Sequence, residues 1–358
     1  MIFTDKIGRK KLAFAAMLLT FSLVAGVWVL RGHRSVRRFS ADFFGTFDTM
    51  VSFTAFAHDE EQFNRYAAIV RDEMTRLHRL FDIYHDYDNL INMKSLNDAA
   101  GKEPLPVDQA ILDLLEIGKE AYEETEGAFN IALGPVLSIW RRYRQNALSG
   151  DVSLPSPSEL EAAAVHILPR DILIDRDRST VFLRYRDMRI DVGAVGKGYA
   201  VQKTVERLRN AGLKSGLISA GGNVAIIGPP LDGRGAWNIG VHAPVDDPST
   251  LTDILVLPEG AVVTSGSDQR YYVSGEKRYH HIIDPQTFYP AEKVRSVTVV
   301  HSQSTTADVL STAAFIMPRE KAEGLLGKKG AEAVWILEDG SKVATEGYDR
   351  FEIGRAHV

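Results

Sequence analysis

The stretch "TSGSDQRYYVSGEKRYHHIIDPQT", Thr264–Thr287, crowds small, hydroxylated and titratable residues into what reads as two strands and a turn. Thr264, Ser265 and Gly266 end the apolar run Ala261, Val262, Val263, so a strand stops there and its backbone and hydroxyls open onto something. The return strand ends in His281 and Asp284, with Pro285 fixing the turn behind them. A hydroxyl-lined loop facing an imidazole and a carboxylate suits a phosphate-bearing ligand. A surface hairpin closed by an Asp-Pro turn is the plainer alternative.

Outward from this hairpin the chain alternates strand and helix patterns. Gly45–Phe56 alternates as a strand, and Asp59 opens a helix whose apolar face carries Phe63, Ala67, Val70, Met74, Leu77 and Phe81. A second helix runs from about Val107 to Thr125 and stops at Gly127. The segment from Gly127 to Trp140 breaks both periodicities before a basic helical stretch, Arg141 to Gln145. Asp191–Gly212 reads as the end of a strand, a glycine turn and a helix, and Leu217–Ile227 as a strand broken by Gly221 and Gly222. Strand patterns at Arg295–Val300 and Ala333–Leu337 bracket helices at Thr305–Phe315 and Arg319–Leu326. Hairpins interspersed with helices predict an α+β fold with a mainly antiparallel sheet.

Composition sets the bounds. With 45% hydrophobic and 25% charged residues in 358, the chain is globular rather than disordered. A net charge of -5 argues against nucleic acid as a partner, because phosphate backbones call for a basic surplus. Basic residues cluster at the N-terminus, where Arg9, Lys10 and Lys11 precede the apolar stretch Leu12–Leu30, and Arg31, Arg34, Arg37 and Arg38 follow it. At about 1.5 Å per residue that stretch matches a hydrocarbon core. It is read as an uncleaved single-pass membrane anchor, with a cleaved signal peptide as the alternative. The domain plan is therefore residues 1–38 for the stub, anchor and linker, and 39–358 for one large domain outside the cytoplasm. The absence of cysteine excludes disulfides, thiolate metal sites and a cysteine nucleophile.

Two constellations outside the hairpin suit ion binding, one for an anion and one for a cation. The turn Gly193–Gly198 lacks both the Walker A and the dinucleotide spacing, yet exposed N–H groups and Lys197 at a helix start suit an anion. Tight strand–helix packing explains the same glycines. Asp308 and Thr312 lie one helical turn apart and, with a backbone carbonyl, offer an all-oxygen site of the kind Mg²⁺ takes. The same pair is also common on ordinary helices. His78, His85, His166 and His242 show no metal-ligand spacing and are read as structural. Ser265 lies in no G-x-S-x-G elbow, which argues against a serine hydrolase.

The order of these blocks resembles the ApbE-type FAD:protein FMN transferases. "FGTFDTM" resembles that family's opening M-G-T block, and "NMKSLN" its block ending in Leu-Asn. "GAFNIALGPVLSIW" is similar to its G-x-F-D block, "DVGAVGKGYAVQK" to D-[LV]-G-G-[IV]-A-K-G-Y-A-x-D, and "ISAGGNVAIIG" to G-G-[ND]. The opening stretch resembles T-S-G followed by H-I-[IL]-D-P-x-T-G, and "SVTVVHSQSTTADVLSTAAFIM" the closing A-D-x-x-[AS]-T block. The resemblance implies a T-fold-like single domain that binds FAD as substrate, uses Mg²⁺ and moves FMN onto a Thr or Ser hydroxyl of a partner redox protein, releasing AMP.

Carried over residue by residue, the resemblance makes Asp308, Thr312 and the Gly196 carbonyl Mg²⁺ ligands. Thr264, Ser265, Gly266, Lys197, Gly222 and Asp284 would line the FAD site, and Gly45 and Thr46 would contact the nucleotide. His281 becomes the candidate general base, because imidazole titrates near neutral pH, with Asp284 beside it. The chain departs from the family pattern at Phe288, where a glycine is usual, so a reshaped turn is expected there. Asn130 also replaces a common aspartate. Attachment to a bacterial inner or cytoplasmic membrane would rest on the apolar segment, since no lipid-bearing cysteine exists. An Mg²⁺-dependent FAD pyrophosphatase and a non-catalytic flavin-binding protein are the alternatives that the same residues allow.

Overall fold

A computed structural model describes residues 36–245 and 250–352. The apolar segment 12–30 lies outside those residues, and among the described residues no helix is long and apolar enough to cross a membrane. Eight strands form one sheet: β1 (Arg37–Thr46), β2 (Thr49–Ala57), β3 (Gly216–Ala220), β4 (Asn223–Ile227), β5 (Gly260–Gly266), β6 (Val294–His301), β7 (Glu332–Leu337) and β8 (Lys342–Ala344). They lie side by side in chain order, and every neighbouring pair is antiparallel. The longer helices are α1 (Glu60–Phe81), α2 (Gln109–Glu124), α3 (Gly134–Leu148), α4 (Gly196–Asn210), α5 (Ser304–Ile316) and α6 (Arg319–Lys329). The α+β class and the antiparallel sheet expected from the sequence are both present.

Both faces of the sheet are buried, and the period-2 alternation of strand side chains decides what goes where. On β5, Ala261 and Val263 point into the main core with Val297 and Val299 of β6, where α1, α4 and α5 supply Leu77, Val201 and Leu310. Val262 and Val300 point the other way, into a second core with Phe56, Trp237 and Tyr348. That face is covered by the antiparallel hairpin Trp237–His242 and Leu251–Leu257. Burying a valine fully contributes roughly 1.5–3 kcal/mol, so a one-residue slip of β5 would forfeit several such contributions at once.

Local signals read correctly where a single residue type was decisive. The Asp59 side chain caps α1 by accepting the Gln62 N–H at 2.9 Å. Gly221 and Gly222 sit at φ +50° and +84° between β3 and β4, as a tight two-residue hairpin requires.

Five expectations need correction. The opening stretch is not one hairpin: Thr264–Gly266 pair with Ser296–Thr298 of β6, and a separate small hairpin, Tyr271–Ser274 with Lys277–His280, intervenes. Long-range pairing of two β-rich segments overrode the local reading. The strand expected over Gly45–Phe56 contains the β1–β2 turn instead, with Phe47 and Asp48 at φ 53° and 52°. Arg37 and Arg38, assigned to the linker, begin β1. Met188–Val192 joins no ladder; the Asn97 side chain receives the Ile190 N–H at 2.6 Å and the Ile131 carbonyl receives the Asp191 N–H at 2.9 Å. Helix α3 starts at Gly134, seven residues ahead of the basic stretch, because Pro135 sits in its first turn, where no N–H is needed.

Candidate active site

The sheet ends carrying Thr264 and Gly221, the start of α4, the middle of α5 and the end of α1 converge on one cavity of about 530 Å³, within the range of small-molecule sites. Of the residues singled out in the sequence, Gly196, Lys197, Thr264, Ser265, Gly266, His281, Asp308 and Thr312 line it. Gly45, Thr46, Gly222 and Asp284 do not; their neighbours Phe47, Gly221 and Pro285 do.

Two of the four, Gly222 and Asp284, fix the backbone next to the wall. Gly222 accepts the Thr264 N–H at 2.9 Å, which fixes the end of β5. Asp284 receives the Gln286 N–H at 2.8 Å and bonds through its own backbone to Phe288 and Tyr289, so it builds a turn. Phe288 keeps the left-handed conformation natural to glycine, at φ 63°, while its ring packs beside Leu133, Trp140 and Ile283. Trp140, a cavity residue, donates its indole N–H to the Phe288 carbonyl at 2.7 Å.

Asp308 is buried, and its Oδ2 accepts the Gly198 N–H at 2.7 Å. Desolvation pushes its pKa up to about 6, opposed by the nearby Lys197 charge and the Gly198 bond. One turn on, Ser265 Oγ lies 2.8 Å from Ser311 Oγ and 3.4 Å from Thr312 Oγ1. A buried carboxylate with hydroxyls beside it and no bonded cation is a donor set that fits Mg²⁺, which takes one or two protein carboxylates and fills its shell with water and phosphate. Among the described residues no group of three His, Asp or Glu gathers as a metal cage, consistent with so sparse a protein contribution.

Lys197, Arg141, Arg144 and Arg270 line the cavity together with Asp48, Asp82, Asp191 and Asp308. Lys197 donates to the Gly221 carbonyl at 3.0 Å, and burial lowers its pKa. Arg141 pairs with Asp191 at 2.9 Å and lies over the Tyr84 ring at 4.5 Å. Arg270 reaches Asp48 at 3.8 Å. Arg144 makes no ion pair or hydrogen bond among the described residues, and burial and the charges of Arg270 and Arg141 lower its pKa. A guanidinium without a carboxylate partner is available to a phosphate oxygen. The arginines were missed in the sequence, although Arg141 and Arg144, three apart in a helix, share a face.

His281 differs from the expectation in one respect. Burial, then the charges of Arg270, His280, Arg144 and Lys197, holds its pKa at about 3 rather than near neutrality. Its Nδ1 is buried with no partner. The imidazole is therefore neutral and unprotonated at pH 7, the form a base needs, but a weak base until an anion offsets the surrounding cations. His78 and His85, read as structural, also line the cavity, whereas Trp237 lies in the second core.

Comparison with known proteins follows the same geometry. Residues 47–335 match the model of the ApbE family. A Klebsiella pneumoniae (strain 342) FAD:protein FMN transferase is 30% identical over 270 residues, covering 73% of this chain and 82% of the relative. That of Treponema pallidum (strain Nichols) is 34% identical over 261 residues, covering 69% and 71%. The crystal structure of the ApbE protein from Thermotoga maritima superimposes with a TM-score of 0.78 at 31% identity, covering 88% of this chain and 99% of that one.

Proposed function

The chain belongs to the ApbE family and is an enzyme of the FAD:protein FMN transferase class; on that premise we propose that it attaches FMN from FAD, with Mg²⁺, to a Thr or Ser hydroxyl of a partner redox protein. The observation that carries the reading is the meeting of a buried carboxylate, Asp308, with Lys197 and three arginines on one cavity wall. Arg141 and Arg270 are paired with Asp191 and Asp48, whereas Lys197 and Arg144 make no ion pair among the described residues, which leaves two cationic donors available to the oxygens of a pyrophosphate.

The reaction balances simply. The acceptor hydroxyl oxygen bonds to the FMN-side phosphorus of FAD, the phosphorus–oxygen bond to AMP breaks, AMP departs with its electron pair, and the hydroxyl proton passes to a base. When bound, Mg²⁺ supplies charge neutralisation at the pyrophosphate. Asp308, Thr312 and the Gly196 carbonyl would hold it. Lys197 and Arg144 receive phosphate oxygens and stabilise the charge that grows on the leaving side. Ser265 and Gly266 shape the wall against the ligand. His281 takes the hydroxyl proton, and the incoming phosphate charge raises its basicity by offsetting Arg270, Arg144 and Lys197.

The membrane anchor expected at 12–30 is consistent with an extracytoplasmic redox partner and forms part of the same proposal. The test incubates the protein with FAD, Mg²⁺ and a candidate acceptor protein, then reads flavin fluorescence on the denatured acceptor. A flavin that survives denaturation supports the transferase. AMP release without such an adduct would assign water as the acceptor, and neither product would reduce the chain to a flavin binder.

A further inference from the structure

We propose that His78 binds the ligand: with Phe47 and Phe81 it forms a corner that receives the edge of a flat heteroaromatic ring, its Nε2–H donating to a ring nitrogen or carbonyl. The inference rests on the FAD reading above and adds a residue that reading does not use.

His78 lies in the last turn of α1 and lines the cavity. The Phe47 backbone N–H donates to its Nδ1 at 3.2 Å. A ring nitrogen that accepts an N–H carries no proton, so in the neutral imidazole the proton is on Nε2. Nε2 has no partner among the described residues, yet the buried unpartnered side-chain atoms are those of Thr46, Ser215, Asn223 and His281. The His78 Nε2–H is therefore open, and His78 is one of the residues that line the cavity.

The surroundings specify a ring. The Phe47 ring meets the imidazole edge-on, with centroids 5.4 Å apart at 67°. A Cβ placed on Gly196 would lie 3.6 Å from the Phe81 ring and 3.9 Å from the Phe47 ring, so both phenyl rings stand over the Gly196 end of the cavity. Two aromatic walls and one N–H donor suit a planar ligand with an acceptor on its edge.

Backbone strain marks the same corner. Phe47 holds φ 53° beside Asp48 at 52°, and a phenylalanine stands where such a turn usually carries Asn, Asp or Gly. The strained turn places Phe47 against His78, and strain of this kind concentrates at functional sites.

FAD offers two such rings, adenine and isoalloxazine. Binding of FAD, AMP, FMN and inorganic pyrophosphate, each with Mg²⁺, to the wild type, His78→Phe and His78→Gln provides the test by calorimetry. Phe keeps a ring but removes the donor; Gln retains both an acceptor and a donor. The expected result is about a tenfold loss of FAD affinity in His78→Phe, the size of one hydrogen bond, with recovery in His78→Gln and pyrophosphate unaffected. Whichever of AMP or FMN weakens in parallel identifies the ring. FAD affinity unchanged in His78→Phe, or pyrophosphate affinity falling as far as that of FAD, would overturn the inference. A wild type that binds no FAD would overturn the functional reading itself and the ring corner with it.

Discussion

Gly198 donates its backbone N–H to Asp308 Oδ2 at 2.7 Å, and no side chain fits between the two residues. A Cβ on Gly198 would stand 2.5 Å from Asp308 Cβ and 2.8 Å from the Ser304 carbonyl. The glycine is thus what lets the start of α4 approach α5 closely enough to bring Lys197 and Gly196 beside Asp308. Gly198→Ala is expected to destabilise the protein by about 1–3 kcal/mol through overpacking and to weaken Mg²⁺-dependent turnover more than FAD binding. Urea unfolding and a Mg²⁺ titration of activity measure the two effects, and unchanged Mg²⁺ dependence would show that the close approach serves packing alone.

The buried charge of Asp308 opposes metal-free stability. Its folded pKa, about 6, lies above the ordinary aspartate value. Between the two the folded state binds more protons than the unfolded one, so the contribution of Asp308 to metal-free stability is fullest in acid and is lost as pH rises through about 6. Asp308→Asn removes the buried charge. At pH 8 without metal it should unfold later in urea than the wild type, by up to about 3 kcal/mol at roughly 1.4 kcal/mol per pH unit, while losing Mg²⁺-dependent activity. Addition of Mg²⁺ should close the stability gap by raising the wild type.

His281 has the opposite sign. Its folded pKa, about 3, lies below the ordinary histidine value of 6.5. The unfolded chain therefore takes up a proton over that window and the native one does not, so the stability present above pH 6.5 is lost as pH falls toward 3. His281→Gln should flatten this acid dependence, read as the change in urea midpoint between pH 7.5 and pH 5. A variant with the wild-type slope would mean that other groups carry it.

Much of this was legible in the sequence, and the limits follow from physics. Asp59 and Gly212 act within a turn of their own helices, so the ends of α1 and α4 were readable. The blocks containing Lys197, Ser265 and Asp308 were each ambiguous until their order pointed to one family. The partition of Thr264–Thr287 was not readable, because Thr264 pairs with Thr298 across a long separation in sequence. Nor was the cationic wall: Arg144 and Arg270 lie on unrelated elements and meet only in the fold.

Phe288 holds a left-handed backbone, the conformation that favours glycine. A left-handed backbone costs a residue with a Cβ roughly 1–2 kcal/mol, offset here by packing of the ring beside Trp140. Substitution should invert the usual order, with Phe288→Gly more stable than Phe288→Ala by about 1 kcal/mol. Urea midpoints of the two variants provide the comparison, and Ala equal to or above Gly would mean the turn had relaxed to negative φ.

The central claim is that one cavity transfers FMN to protein instead of to water. The measurement that tests it most directly is the ratio of AMP released to FMN covalently attached to a candidate acceptor protein, by chromatography and intact-protein mass spectrometry. The expected result is one AMP per attached FMN, with both products lost in Asp308→Ala. AMP formed with no attached FMN, or attachment undiminished in Asp308→Ala at saturating Mg²⁺, would contradict the account.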